Sequence, residues 1–161
     1  MAGGAHRDPP ALTWRADHVG VGHEHLVQED LREPGAAARL VDLWQRAGDP
    51  ADTALRDRVA DAWIGAQAYR LHTQRTAERL AAGGSLGAES SLGKVFWSEL
   101  DVALHETALD LLGAVAEVDD LPGPDGRWLD GYLFALAGPI YAGTNEIQRT
   151  VIAERLLGLP R

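Results

Sequence analysis

A chain of 161 residues, 45% hydrophobic and 24% charged, is long enough to bury one core of its own and lies far from the disordered class. Its formal charge of −9 argues against nucleic acid, whose phosphates demand clustered Lys and Arg. The absence of cysteine excludes disulfides and thiolate metal sites.

Taken in chain order, residues 1–18 carry Gly3, Gly4, Pro9 and Pro10 and read as an irregular lead-in, leaving 19–161 as one helical bundle domain. The start MAGGAHRDPPALTW lacks the apolar core of a signal peptide, and no run approaches the roughly eighteen apolar residues of a membrane span, so a cytoplasmic location is expected. A short helix over Val19 to Asp30 is weakened at its start by Gly20 and Gly22. Pro34 suits a helical first turn, and Gly35 to Ala47 forms the next helix, ended by Gly48, Asp49 and Pro50.

Asp52 or Thr53 caps a long helix in which Leu55, Val59, Ala62, Ala66, Tyr69, Thr73, Ala77 and Leu80 share one face. Gly83 and Gly84 stop it. From Glu89 to Ala116 a second long helix shows a similar stripe in Leu92, Phe96, Leu100, Ala103, Thr107, Leu111 and Ala114, and the short link makes the two antiparallel. Asp119 to Gly126 (DDLPGPDG) is a loop, Arg127 to Ala137 is helical, and Thr144 or Gly143 opens a terminal helix reaching Leu157. No segment alternates with period two, so the fold class expected is all-α, an antiparallel bundle of four main helices with short additions.

Most other notable side chains have structural readings. His72 and His105 have no second ligand three or four residues on, so no metal site is expected. Trp44, Trp63, Trp97 and Trp128 read as core or interface aromatics, and Arg56, Asp57 and Arg58 as a solvated face. In the terminal helix Ile147, Val151, Ile152 and Leu156 form no single narrow stripe, which predicts cover on more than one side, as at a subunit interface.

The segment Gly138 to Arg161 (GPIYAGTNEIQRTVIAERLLGLPR) carries the functional signal. It resembles the C-terminal signature of the acyl-CoA dehydrogenases. Pro34 to Ile64 resembles the stretch leading into the family's C-terminal helical domain in a bacterial branch, and Ser91 to Lys94 (SLGK) with Ala108 to Gly113 (ALDLLG) resembles that domain's next long helix. The match runs from about Leu26 to the end and implies the last of the family's three domains, with a helical and a β domain absent. The chain would then be a split subunit, a truncated product or a partner of a chain supplying the rest.

By that resemblance, Ala142 and Gly143 would lie against the thioester of an acyl-CoA substrate, and Thr144, Asn145 and Glu146 would contact FAD. The implied reaction is α,β-desaturation, in which a carboxylate removes the α-proton while hydride passes to the flavin. Many members place that carboxylate where this chain has Ala142, which keeps a backbone N–H for the thioester oxygen but offers no base. Other members place the base in a Leu-x-x-Glu-Arg segment; Leu26 to Glu29 is similar, which makes Glu29 the candidate catalytic residue, with Glu24 and Glu33 weaker forms of the same idea. Burial beside an acyl chain would raise such a carboxyl toward a useful general base.

Three departures concern the cofactor. No Arg-x-x-Phe-Gly segment lies between Gly35 and Trp63, Asp110 stands where a Gln reaches a neighbouring subunit's cofactor, and Leu136 stands where Arg is common. A carboxylate at 110 would repel a diphosphate. Family resemblance implies a homo- or hetero-oligomer with an acyl-CoA dehydrogenase-like chain, and electron-transfer flavoprotein as redox partner. The alternative is a non-catalytic helical scaffold that has kept the bundle and lost the chemistry.

Overall fold

The computed structural model describes residues 35–117 and 126–160. The lead-in, the helix expected over 19–30, the carboxylates Glu24, Glu29 and Glu33, and nearly all of the loop around 119–126 lie outside these residues.

Helix α1 (Ala36–Ala47) buries Leu40 and Leu43 completely, with Ala37 beside them, so its apolar face is the floor of the core. It stops where expected: the Gly48 N–H donates to the Trp44 carbonyl and the chain turns extended. The side chain of Asp49 accepts from the Ala51 N–H at 2.9 Å, and that of Asp52 from the Leu55 N–H at 2.9 Å, which caps the next helix. Helix α2 (Thr53–Ala81) is 29 residues long. It buries Val59, Ala62 and Tyr69 from the expected stripe, while Ala77 and Leu80 near its end are exposed.

Helix α3 (Ser90–Leu112) runs back along α2. Gly65 faces Leu100, the Tyr69 and Phe96 rings stack at 6.2 Å, and His72 approaches Gly93, so residue numbers rise on one helix as they fall on the other. A Cβ at Gly65 would sit 2.8 Å from a Leu100 methyl, and its absence lets the helices close up. Gly113 then takes φ +58 with ψ −142, a backbone that glycine adopts without a Cβ clash, and Gly113–Glu117 tightens to a 3₁₀ turn where a longer α-helix is expected. Helix α4 (Arg127–Ala135) returns along α3, placing Trp128 edge-on to His105 at 5.5 Å. A turn over 136–144 leads to α5 (Asn145–Val151), whose last residues widen into a π turn at Ile152–Leu156. The terminal helix expected to reach Leu157 is therefore α-helical only to Val151.

The architecture is all-α, with no strand among the described residues; α3 contacts α1, α2, α4 and α5 and forms the axis of the packing. That centrality overturns the stripe expected on α3. Of its members Thr107 is buried, Leu100 and Leu111 are half-buried, and Leu92, Phe96, Ala103 and Ala114 are exposed, whereas Ser91, Lys94, Trp97, Ser98, Leu104, His105 and Ala108 are buried off it. A helix covered on several sides has no single apolar seam, and its buried polar groups are carried by hydrogen bonds to neighbours. Ser98 and Thr107, for example, donate to the carbonyls of Val95 and Ala103. No helix among the described residues is long and apolar enough to cross a membrane.

Between α2 and α3 a cavity of about 30 Å³, room for a single water, is lined by Tyr69, His72, Thr73, Thr76 and Glu89 among others. The Tyr69 hydroxyl is buried and meets no hydrogen-bond partner among the described residues; the nearby Thr73 hydroxyl donates to the Tyr69 carbonyl. Burial pushes the Tyr69 phenol above its ordinary value.

Two measurements test this packing. Leu40→Ala should lower the unfolding free energy by about 3 kcal/mol in chemical denaturation, the cost of a fully buried leucine and the cavity it leaves. Tyr69→Phe should leave stability unchanged or raise it by up to about 1 kcal/mol, since it removes an unsatisfied buried hydroxyl. The raised phenol contributes stability that is complete below the ordinary tyrosine pKa and is lost as pH climbs through the folded-state value. Tyr69→Phe should remove that alkaline loss, and a marked destabilisation at neutral pH would show instead that the hydroxyl is satisfied.

Candidate functional site at the terminal helix

The site grows from the turn that links α4 to α5. Successive turns bond Leu136 N–H to Tyr132 O, Gly138 N–H to Ala135 O and Tyr141 N–H to Ala137 O, so the chain after α4 is a tight coil packed on α3. Gly138 is buried against Ser98, and a Cβ on it would lie 2.9 Å from the Ala135 carbonyl oxygen and 3.3 Å from the serine Cβ, too close for the coil to keep its path. Tyr141 lies against Trp97 at 6.0 Å between ring centres, and burial together with the Asp101 charge pushes its phenol upward. The Trp97 indole N–H is buried without a partner.

At the end of this coil the backbone turns left-handed twice in succession. Ala142 has φ +54 and Gly143 φ +87, and Ala142 is the one non-glycine residue with positive φ among those described. Such a conformation costs a residue with a Cβ on the order of 1 kcal/mol and persists only where its surroundings dictate it. Here the Asn145 N–H donates to the Pro139 carbonyl at 2.9 Å, and the Gln148 side-chain amide donates to the Ala142 carbonyl at 3.0 Å. Ala142 and Gly143 are both exposed, and the Ala142 N–H makes no hydrogen bond among the described residues.

Thr144 then caps α5, its hydroxyl oxygen accepting from the Ile147 N–H at 3.4 Å. The first residue of the helix, Asn145, is 3% exposed and faces inward. Its carbonyl oxygen accepts from Lys94 Nζ at 2.7 Å, its amide donates to Glu99 at 3.2 Å, and Ser98 Oγ lies within hydrogen-bond distance of both ends of the amide. Arg149, one turn on, pairs with the same Glu99. Burial holds the Lys94 ammonium below the usual lysine range, opposed in part by the charges of Glu146 and Glu99. Glu146 stays on the open side, its carboxyl held low by its own backbone N–H first and then by the Thr144 hydroxyl.

Set against known proteins, residues 34–157 match the family of the acyl-CoA dehydrogenase C-terminal domain. The chain belongs to the acyl-CoA dehydrogenase family. Acyl-CoA dehydrogenase IpdE1 of Mycolicibacterium smegmatis is 35% identical over 133 residues, covering 83% of this chain and 32% of the relative, and IpdE1 of Mycobacterium tuberculosis is 38% identical over 130 residues, covering 77% and 31%. A solved structure described as the ChsE4-ChsE5 complex from Mycobacterium tuberculosis is similar at a TM-score of 0.66 with 25% identity, covering 80% of this chain and 36% of that one. The chain thus spans about a third of the length of the relatives it matches.

Placed on this acyl-CoA dehydrogenase domain, the site residues read from the sequence separate into two groups. Ala142, Gly143, Thr144 and Glu146 come together on the open side of the turn. Asn145, read as a contact to FAD, has its side chain hydrogen-bonded inside the bundle to Lys94, Ser98 and Glu99. Glu29 lies outside the described residues. Asp110, read as a repulsive charge, is paired at the surface with Arg58 at 2.5 Å, while Arg56, Asp57 and Arg58 are exposed, as the solvated face expected of them. Leu136 is exposed.

Two functional neighbours escaped the sequence reading. Lys94 lies within SLGK, but nothing in that tetrapeptide announces a buried partner 51 residues away. Asp101 precedes His105 by four residues, and its carboxylate lies 3.3 Å from the imidazole, a spacing legible on a helix had it been sought upstream. No group of three metal-ligating side chains forms among the described residues.

Asn145→Ala should cost about 2–3 kcal/mol, because it leaves the Lys94 ammonium buried without its hydrogen-bond acceptor. Urea denaturation monitored by circular dichroism would measure this, and a loss below about 0.5 kcal/mol would show that Lys94 reaches water once Asn145 is gone.

Proposed function

We propose that the chain supplies the C-terminal domain of an FAD-dependent acyl-CoA dehydrogenase and works in an assembly that contributes the missing helical and β domains. The single observation that carries this reading is the doubly left-handed turn at the exposed residues Ala142 and Gly143, where the Ala142 N–H makes no hydrogen bond among the described residues. An N–H fixed in direction before substrate arrives suits an oxygen that gains negative charge during α-proton removal. Flavin, when bound, accepts the hydride from Cβ. The open side of the turn offers Thr144 and Glu146 to the cofactor, Asn145 anchors the segment from within, and the Arg58 charge offsets Asp110 near the end of α3.

The partner has a surface to meet. Leu133, Phe134, Ile140, Ile147 and Leu157 are each more than half exposed along α4, the turn and the terminal helix. Exposed apolar groups in that concentration mark an interface. A hetero-oligomer with an acyl-CoA dehydrogenase-like chain accords with the likeness to a protein solved as a two-component complex. In such an assembly Glu29 is the proposed base, since Ala142 has no ionisable group, and electron-transfer flavoprotein is the proposed acceptor of the electrons. The second reading, a scaffold without catalysis, rests on one observation: a methyl group stands at Ala142 where many members of the family carry the carboxylate base.

Purification alone and after co-expression with an adjacent acyl-CoA dehydrogenase-like chain separates the two. The enzyme reading expects flavin absorbance in the co-purified complex, bleached by acyl-CoA, and a reduction rate lowered at least a hundredfold by Glu29→Gln, within the scale of general-base catalysis. Absence of flavin from both preparations would leave the scaffold. Flavin reduction undiminished in Glu29→Gln would assign the base to the partner.

A further inference from the structure

We infer that Gln148 is the positioning residue of this site: its side chain holds the Ala142–Gly143 turn left-handed and so sets the direction in which the Ala142 N–H is offered. The acceptor is the acyl thioester only on the reading proposed above; the hold on the turn stands on geometry alone.

Gln148 lies in the second turn of α5, bonded through its own N–H to the Thr144 carbonyl at 2.9 Å, so its backbone is fixed by the helix. From there the side chain folds back and donates to the Ala142 carbonyl at 3.0 Å, closing a ring across six residues. This bond fixes the peptide plane between the two left-handed residues. The other link across the turn, Asn145 N–H to Pro139 O, ties its base and leaves the 142–143 plane free to rotate. A flip of that peptide would turn ψ of Ala142 and φ of Gly143; because a residue with a Cβ cannot keep φ +54 once ψ has flipped, φ of Ala142 would have to follow and swing its N–H away, and the donated hydrogen bond opposes that flip.

Gly143 is fitted to the same side chain. A Cβ on it would lie 2.8 Å from the Gln148 amide nitrogen, so φ +87 favours glycine here and any larger residue would also have to push the glutamine amide aside. The two demands are separable by experiment. If Gln148 did no more than cover surface, its removal would leave the turn unchanged.

The test uses the full chain and, separately, its co-purified complex. In the chain, Gln148→Ala and the size-preserving Gln148→Glu, which lacks the donor when ionised, should shift the Ala142 and Gly143 backbone NMR resonances toward random-coil positions and speed amide exchange at Asn145 about tenfold or more. The remaining α5 resonances should stay in place. Gly143→Ala should destabilise less in the Gln148→Ala background than alone, because the crowding it creates has gone. Unchanged 142–143 resonances in both Gln148 variants, or full additivity with Gly143→Ala, would overturn the inference whether or not flavin is ever found. In a flavin-loaded complex, both variants should reduce the rate of flavin bleaching by acyl-CoA about tenfold to a hundredfold with KM little changed, the split expected when a donor is misaligned toward the reacting state. A change confined to KM would assign Gln148 to ground-state binding and overturn the positioning role.

Discussion

The arrangement depends on a buried ammonium and the amide that receives it. Lys94 comes from the middle of the packing and Asn145 from the first residue of the terminal helix, and they meet at 2.7 Å where neither reaches solvent freely. A lysine withdrawn from water is costly unless its hydrogens are accepted. The cheapest way to meet that need is to keep α5 against α3, and Ser98, Glu99 and Arg149 extend the same seam. The turn is anchored beside this pair: Thr144 caps α5 next to Asn145, the Asn145 N–H donates to the Pro139 carbonyl, and the Gln148 side chain donates to the Ala142 carbonyl between them.

This seam explains how a domain with so much exposed apolar surface can still present a defined turn. The core proper is formed by α1, α2 and α3 around Leu40, Leu43, Val59 and Leu104, with Trp128 at one edge. The signature segment lies outside it and is held by directional polar contacts. Hydrophobic burial fixes where the helices lie only to within a sliding motion, whereas a hydrogen-bonded amide fixes register. The polar seam therefore does for geometry what the apolar core does for stability.

Much of the fold was legible because its punctuation is local. Gly48, Asp49 and Asp52 end one helix and cap the next through contacts two to four residues long, and α1 and α2 fall where those signals place them. The buried face of α3 was not legible, since periodicity counts apolar residues while Lys94, Ser98 and His105 are buried against partners far along the chain. The signature announced its turn through an unusually long motif. It gave no sign that Asn145 faces inward, that Asp110 meets Arg58, or that Gln148 reaches back to Ala142, because each is a pairing of side chains that only the folded chain brings together.

The left-handed turn at Ala142 separates shape from side-chain chemistry. Hydrogen bonds from Gln148 and Asn145 shape the backbone, and none of them involves the side chain at 142. Replacing that methyl by a carboxylate would ask nothing new of the fold, so the residue at this position can change its chemistry while the mount that carries it stays as it is.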